Sequence, residues 1–353
     1  MKIMLFTMFF IVLLSFPAAL LVCPAFAEVN MEEFVSFNKP VGLAWTNGSF
    51  IVSSINGDTH LLKVSRDGQT IEPFAPIFSG EGEVYIAISP GKAGFPEGYI
   101  YVSSGNSIYE IDPSGNEVRL FSKPYEEMGL GHIAFDTVGT WGNLLYAVNY
   151  NGLLWSIDSY GNANLVVDLG NDLLPESIDF APLDFGDFGG DMLIALEMGR
   201  KVIAMSDEDP GKATILIEFD DESPERVLVI PAESDLYIAK YEENLVVKIA
   251  SGYFSSHQGG LVVITEGEYG EQGSITILEA DGKVIVITKI AESLENPHFE
   301  GAVFVNPTVF ETVTAVTTVQ DFDQASILVL GISIVAVVAL AVVLIRGRRY
   351  SKE

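Results

Sequence analysis

The sequence predicts an all-β protein, a β-propeller of six blades with seven as the alternative, followed by a single C-terminal transmembrane helix. Three observations predict this: a pattern of short apolar strands recurs along the chain, glycine-containing turns separate the strands, and an uncharged apolar run lies near the C-terminus. Units of several short strands repeated every ~40 to 50 residues are typical of propeller blades.

The repeat is seen when the stretches beginning YIYVSS, LLYAVN, MLIALE and LYIAKY are aligned. A polar residue that follows an aliphatic strand then recurs at steps of 47, 46, 48 and 45 residues, at Ser65, Asp112, Asp158, Ser206 and Ser251. An immunoglobulin-like sandwich, the competing all-β fold, has no such long fixed period. The period therefore favours the propeller.

Local turn chemistry agrees with this fold. The segments RDGQ, PSGN, SYGN and ADGK each place a glycine between two apolar runs, where a hairpin needs a positive φ. The alternation of Ile108 and Glu110 with Tyr109 and Ile111 indicates half-buried strands rather than helices. We expect no amphipathic helix in the propeller, which is predicted to span residues 28–306.

Six runs are expected to form the innermost strands, because each stands just ahead of a blade's second strand. The strand at 225 is expected to continue into the LYIAKY stretch of its own blade, and the GGLVVIT stretch from Gly259 is expected to supply the last blade. Ring closure joins the N-terminal strands to the C-terminal ones. The six runs begin at Val41, Glu83, Gly131, Glu176, Glu225 and Glu300.

The N-terminus predicts a signal peptide over residues 1–27. Lys2 precedes a long apolar run, and Ala25 and Ala27 have the spacing of a signal peptidase site. The single cysteine, Cys23, lies ahead of the cut. The processed chain is therefore expected to contain no disulfide and no cysteine chemistry.

The C-terminus predicts a membrane anchor. A Thr-rich spacer over residues 307–325 leads to an uncharged run over 326–345, about the length that spans a bilayer as a helix, and then to a basic tail over 346–353. The positive tail is expected in the cytoplasm and the propeller outside the cell membrane. The segment QDFDQA before the helix resembles archaeal Pro-Glu-Phe-type sorting signals, although it keeps only Phe322 of that motif.

The net charge is strongly negative, with 48 acidic residues against 19 lysines and arginines. Without the signal peptide and the tail, 14 basic residues face 47 acidic ones, a net charge of about −33. Such a surface repels phosphate backbones, so no nucleic-acid partner is expected. It suits cations or basic ligands.

The phrases PESIDFAP with GGDMLIALE and GHIAFD with GNLLYAV resemble the blade pattern of six-bladed propellers of the NHL-repeat, TolB-like and gluconolactonase/regucalcin group. The resemblance implies a propeller over most of residues 40–306. Gluconolactonase and regucalcin proteins hold a metal in the central channel through a glutamate in a Gly-Glu-Gly phrase. The segment GEGEVYIA resembles that phrase, with Glu81 or Glu83 at the matching position.

Most of the innermost strands have a charged residue at or near their start. In a propeller the starts of these strands face one another across the central axis. Several carboxylates at one mouth repel unless a cation, water or a basic ligand intervenes. A divalent cation is expected, Ca²⁺ first, with an imidazole ligand favouring Zn²⁺ or Mn²⁺. The alternative is that the glutamates face water at a solvated rim. The expected metal ligands are Glu83, His132, Glu176, Glu225 and Glu300.

Two further features bear on metal binding. His298 lies close to Glu300 in sequence and is a candidate to join the mouth. The loop LDFGDFGGD offers Asp184, Asp187 and Asp191 as a second calcium candidate, although its spacing is not that of an EF-hand.

No catalytic motif of the Walker, G-x-S-x-G, H-E-x-x-H or C-x-x-C type occurs. The preferred function is therefore a membrane-anchored extracellular recognition module that binds an unidentified ligand or protein. One alternative is a metal-dependent lactone or ester hydrolase in which the ringed carboxylates polarise a carbonyl or activate water. A second alternative is a structural protein of the cell envelope.

Overall fold

A computed structural model of the chain describes residues 29–125, 129–267, 270–295 and 297–307. The predicted signal peptide, nearly all of the Thr-rich spacer, the predicted transmembrane helix and the basic tail lie outside these residues. Within the described residues, none of the helices has the length and apolar character that a bilayer crossing needs.

The described residues form twenty-four strands in six four-stranded antiparallel sheets, which confirms the six predicted blades. The first strand, β1 (Glu32–Ser36), belongs to the blade that closes the ring, and the next sixteen strands make four blades in simple succession. Blade 1 contains β2 (Pro40–Thr46), β3 (Ser49–Asn56), β4 (Asp58–Ser65) and β5 (Ile71–Phe74). Blade 2 contains β6 (Ile86–Ile88), β7 (Ile100–Ser104), β8 (Ser107–Ile111) and β9 (Val118–Ser122). Blade 3 contains β10 (Leu130–Phe135), β11 (Leu145–Asn149), β12 (Leu153–Ile157) and β13 (Ala163–Asp168), and blade 4 contains β14 (Pro175–Phe180), β15 (Met192–Leu196), β16 (Lys201–Met205) and β17 (Ala213–Glu218).

The last two blades are interleaved along the chain. After the inner strand of blade 5, the next two strands form the middle hairpin of blade 6. The following three strands complete blade 5, and the last described strand is the inner strand of blade 6. Blade 5 contains β18 (Pro224–Val229), β21 (Leu261–Thr265), β22 (Gln272–Asp281) and β23 (Val284–Glu295). Blade 6 contains β24 (Phe299–Val305), β19 (Asp235–Lys240), β20 (Leu245–Ile249) and β1. Short 3₁₀ helices at Gly186–Phe188 and Ser251–Tyr253 occupy two loops.

The expected strand order of these two blades was wrong. The hairpin that contains LYIAKY pairs with β24 and β1 rather than with β18, and the GGLVVIT strands pair with β18. The local pattern of both hairpins fits a second and third strand equally well. Their pairing is decided by non-local contacts, such as the packing of Tyr237 from β19 on Phe34 of β1 and Phe50 of blade 1.

The core is divided among the six interfaces between neighbouring blades, and each interface holds one cluster of buried apolar side chains. Middle strands such as β7 and β11 are buried on both faces because each is packed between two blades. The half-burial expected of the strand that contains Ile108 and Glu110 is wrong, since four of the five residues of β8 are buried. Glu110 on β8 is buried, where it accepts hydrogen bonds from Tyr101 Oη and Arg119 Nε, both at 2.7 Å.

The four predicted turn glycines adopt the left-handed backbone conformation that a tight hairpin needs. Gly68, Gly115, Gly161 and Gly282 have φ values of 71°, 77°, 84° and 59°. This confirms the sequence argument for these hairpins.

Candidate functional site

The candidate site lies where the innermost strands begin. In five of these six strands the pairing register shifts at the first residues, so an extra residue interrupts the ladder with the second strand. A β-bulge of this kind changes the direction of a side chain. In blades 4, 5 and 6 the second residue of the inner strand is a glutamate at such a shift: Glu176, Glu225 and Glu300.

These glutamates line a cavity of about 1020 Å³ at the mouth of the ring. Among the described lining residues, glutamates far outnumber cations, since the only lysine or arginine is Lys39 and the only histidine is His298. Tyr85, Tyr150 and Tyr241 also contribute to the wall. The lining glutamates are Glu83, Glu176, Glu197, Glu225, Glu242, Glu266 and Glu300.

On one side of the cavity, two carboxylates share two tyrosine hydroxyls. Tyr150 Oη donates to Glu83 Oε2 at 2.7 Å. Tyr85 Oη lies 3.0 Å from Glu176 Oε2 and 3.2 Å from Glu83 Oε2, so its single proton links the two carboxylates. These bonds fix the positions of Glu83 and Glu176 without neutralising their charge.

On the other side, His298 lies between two buried carboxylates. Its Nε2 is 3.3 Å from Glu300 Oε1 and 3.5 Å from Glu266 Oε1. One ligand atom from each of these three residues lies within 4.8 Å of the other two. His298 adopts a φ of 39°, its backbone oxygen accepts the N–H of Tyr241 at 3.0 Å, and its ring lies 4.7 Å from the Tyr241 ring. The imidazole is therefore held in place from two directions.

Glu225 lines the same cavity but is not a member of either group. Its side chain is only 3% exposed, and its Oε1 has no hydrogen-bond partner in the described part of the chain. A buried carboxylate oxygen without a partner is unfavourable, because the charge has lost water and gained nothing in its place. Glu225 is thus a lining carboxylate whose hydrogen bonding the described residues leave incomplete.

Burial and mutual repulsion disfavour negative charge in the cavity. Burial, followed by the charge of Glu83, raises the pKa of Glu176 well above its usual value. Burial, followed by the charges of Glu176 and Glu300, raises the pKa of Glu225 in the same way. An added cation would reverse both shifts.

Two third residues of inner strands, Arg226 on β18 and His132 on β10, are buried and do not line the cavity, and they are called the floor residues below. Arg226 is buried, and its Nε and Nη1 have no hydrogen-bond partner among the described residues. Burial, together with the positive charge of Arg226, lowers the pKa of His132. The guanidinium lies next to Glu225 in sequence and opposes the rise of that carboxyl's pKa.

Four of the five predicted ligands, Glu83, Glu176, Glu225 and Glu300, share the cavity, whereas His132 is not among its lining residues. His132 is the third residue of β10, and Gly131 holds the position that glutamate holds in blades 4 to 6. The His132 Nδ1 instead accepts the backbone N–H of Ile178 at 3.1 Å. Asp184, Asp187 and Asp191, the second calcium candidate, do not belong to the group of described residues whose ligand atoms lie close enough to share an ion, so that site stays a prediction.

Several lining residues were missed by the sequence argument. In an antiparallel hairpin, the end of the second strand lies beside the start of the first, so a residue that follows the second strand also reaches the mouth. The phrases AVNY, IALE, IAKY and VITE carried this signal. The missed residues are Tyr150, Glu197, Tyr241 and Glu266.

No family model and no curated protein matches this chain. Solved structures match its fold, among them a chain of the nidogen/laminin complex, at 12% identity over 75% of this chain and 84% of that one with a TM-score of 0.50. Virginiamycin B lyase from Staphylococcus aureus is 12% identical over 79% of this chain and 96% of that one, with a TM-score of 0.48. At 12% identity the likeness to the nidogen/laminin chain shows the propeller fold alone, and that fold carries many functions.

Proposed function

We propose that the chain is a propeller binding module whose acidic mouth takes up a divalent cation. The observation that carries this proposal is the grouping of Glu266, His298 and Glu300, whose ligand atoms lie within 4.8 Å of one another. Atoms that bind one metal at ~2.0–2.6 Å cannot be more than about 5 Å apart, so the spacing suits a shared ion.

The donor set bears on the identity of the ion. Carboxylates alone would favour Ca²⁺, the first expectation from the sequence. Because an imidazole belongs to the closest group, Mn²⁺ and Zn²⁺ become stronger candidates. The distances of 3.3 and 3.5 Å from His298 Nε2 to the two carboxylates exceed those of strong charge-assisted hydrogen bonds, which leaves room for an ion between the atoms.

Calorimetric titration of the chelator-treated full chain with Ca²⁺, Mn²⁺ and Zn²⁺ tests the proposal. We expect one of them to bind and to stabilise the protein by about 2.7 kcal/mol at a hundredfold excess over its Kd. Glu300→Gln should weaken binding by about tenfold or more, since it removes one charged ligand. The exposed Glu117→Gln is the matched control. Absence of binding and of any thermal shift with all three ions would refute the proposal.

We also propose that the module acts at the outer face of a cell membrane. The apolar runs at residues 1–27 and 326–345 and the basic tail support this placement. Digestion of intact cells with a protease should remove the propeller while a tag fused after Glu353 stays protected. A tag digested together with the propeller would contradict the orientation.

A further inference from the structure

The cavity is much larger than a single ion requires. Its volume of about 1020 Å³ is in the range of pockets that hold organic ligands, whereas a water-sized occupant takes ~30 Å³. A cation at Glu266, His298 and Glu300 would occupy one side only. Glu83, Glu176 and Glu225 would remain on the wall with their own charges.

The deep end of the remaining space offers a specific acceptor. Glu225 Oε1 is buried without a partner, and Glu176 lines the same cavity with its Oε2 held by Tyr85 Oη at 3.0 Å. A primary ammonium group carries three donors and one positive charge. Such a group would supply the hydrogen bond that Glu225 lacks and reduce the repulsion between the two carboxylates.

The wall of the cavity carries apolar as well as acidic groups. Leu174, Met198 and Tyr150 provide surface for methylene groups. At the rim, Glu242 is 61% exposed and offers a second anionic position. A ligand that follows this wall would carry positive charges at intervals along an aliphatic chain.

A lysine side chain of the protein makes the kind of contact with the wall that an alkylammonium ligand would make. Lys39 places its Nζ 4.5 Å from the centre of the Tyr241 ring and 3.4 Å from Tyr241 Oη. Contact of an ammonium with an aromatic face is favourable by ~0.5–2 kcal/mol. The cavity thus already accommodates one group of this chemistry.

We propose that the mouth binds a linear aliphatic polyamine, with one terminal ammonium on Glu225 and Glu176 and the chain directed to the acidic rim. This rests on the proposed function only in that both treat the mouth as a cation-binding cavity. The polyamine does not require the metal.

The test is calorimetric titration of the full chain, purified in a non-ionic detergent and stripped of metal with chelator, at about 0.15 M salt, where surface attraction is screened. Spermidine should bind at least about tenfold more tightly than butylamine, which offers one ammonium on a similar stem. Glu176→Gln combined with Glu225→Gln should weaken spermidine binding by about tenfold or more. Glu117→Gln, a change to an exposed glutamate, should leave it unchanged.

Because the titration is done without metal, its outcome is independent of the metal titration above. Spermidine that binds no better than butylamine, or a double variant that binds as the wild type does, would overturn the proposal. Far-UV circular dichroism and thermal melting verify that the double variant is folded. If it is not, the single Glu225→Gln variant carries the same expectation and the same refuting result.

Discussion

Glu225 combines burial, a missing hydrogen-bond partner and two neighbouring carboxylates, so a negative charge on its side chain is unfavourable. Arg226 offsets part of this charge from the floor, but its own Nε and Nη1 are unpartnered among the described residues. The burial of these charges without full compensation at the mouth is therefore expected to lower the stability of the folded protein.

The pH dependence of the unfolding free energy should reveal the cost of a negative charge on Glu225. A carboxyl group whose pKa is higher in the folded chain contributes stability that is fully present below its usual pKa of 4.5 and is lost as the pH rises through the folded-state pKa. In chelator, Glu225→Gln should therefore be more stable than the wild type at about pH 8, by roughly 1.4 kcal/mol for each unit by which the pKa is raised. The advantage should shrink toward pH 4. Urea unfolding followed by tryptophan fluorescence measures it.

Glu117→Gln serves as the reference in that series, because the Glu117 side chain is exposed. Its unfolding free energy should follow that of the wild type at every pH. If Glu225→Gln were less stable than the wild type throughout, the carboxylate would have to be stabilised in the folded protein, contrary to its buried and unpartnered position.

At the level of the strand, the start of each inner strand must fit closely against its neighbour in the ring. Gly301 on β24 faces β2 so closely that an added Cβ would lie 2.2 Å from the backbone oxygen of Val41. Gly42 on β2 faces blade 2 in the same way, with Val84 O at 2.3 Å. Glycine at these two positions allows the neighbouring inner strands to approach this closely.

Gly301→Ala should therefore destabilise the protein. Overpacking against a backbone atom costs about 1–3 kcal/mol or more, because the strands must separate before the methyl group fits. Gly252→Ala is the matched control, since a Cβ at Gly252 would meet no atom within 4 Å. The difference between the two midpoints of urea unfolding measures the effect. Equal midpoints would show that the inner strands can move apart without loss.

The strands also show how far sequence reasoning reaches. The recurring polar residues Ser65, Asp112, Asp158 and Ser206 each lie at or directly after the end of the third strand of a blade. The sequence repeat therefore predicted the positions of these blades correctly. The repeat could not predict the register shifts at the start of the inner strands, where the second residue faces the cavity and the third does not. For that reason Glu176 and Glu225 were placed correctly at the mouth, and His132 was not.

At the level of the whole molecule, the chain crosses between blades 5 and 6 three times, and β1 completes blade 6 from the other end of the propeller. Because the strands of the two blades alternate along the chain, one blade cannot unfold without disturbing the strands of the other. This linkage was invisible in the sequence because strand pairing over such separations depends on which partner is available in space. It should make unfolding of the propeller strongly cooperative.

A cross-link between β1 and β20 tests this topology. Glu32 lies opposite Lys248 in the pairing of the two strands, and directly opposed residues of antiparallel strands suit a disulfide. In a Cys23→Ser background, Glu32→Cys with Lys248→Cys should oxidise spontaneously and raise the unfolding free energy by about 3–5 kcal/mol relative to the reduced form, because a very long loop is closed. Glu32→Cys with Glu279→Cys, on the third strand of blade 5, should remain reduced. The opposite result would mean that β1 pairs with β22 and that the two blades follow one another in simple succession. Mass spectrometry and non-reducing electrophoresis distinguish the two arrangements.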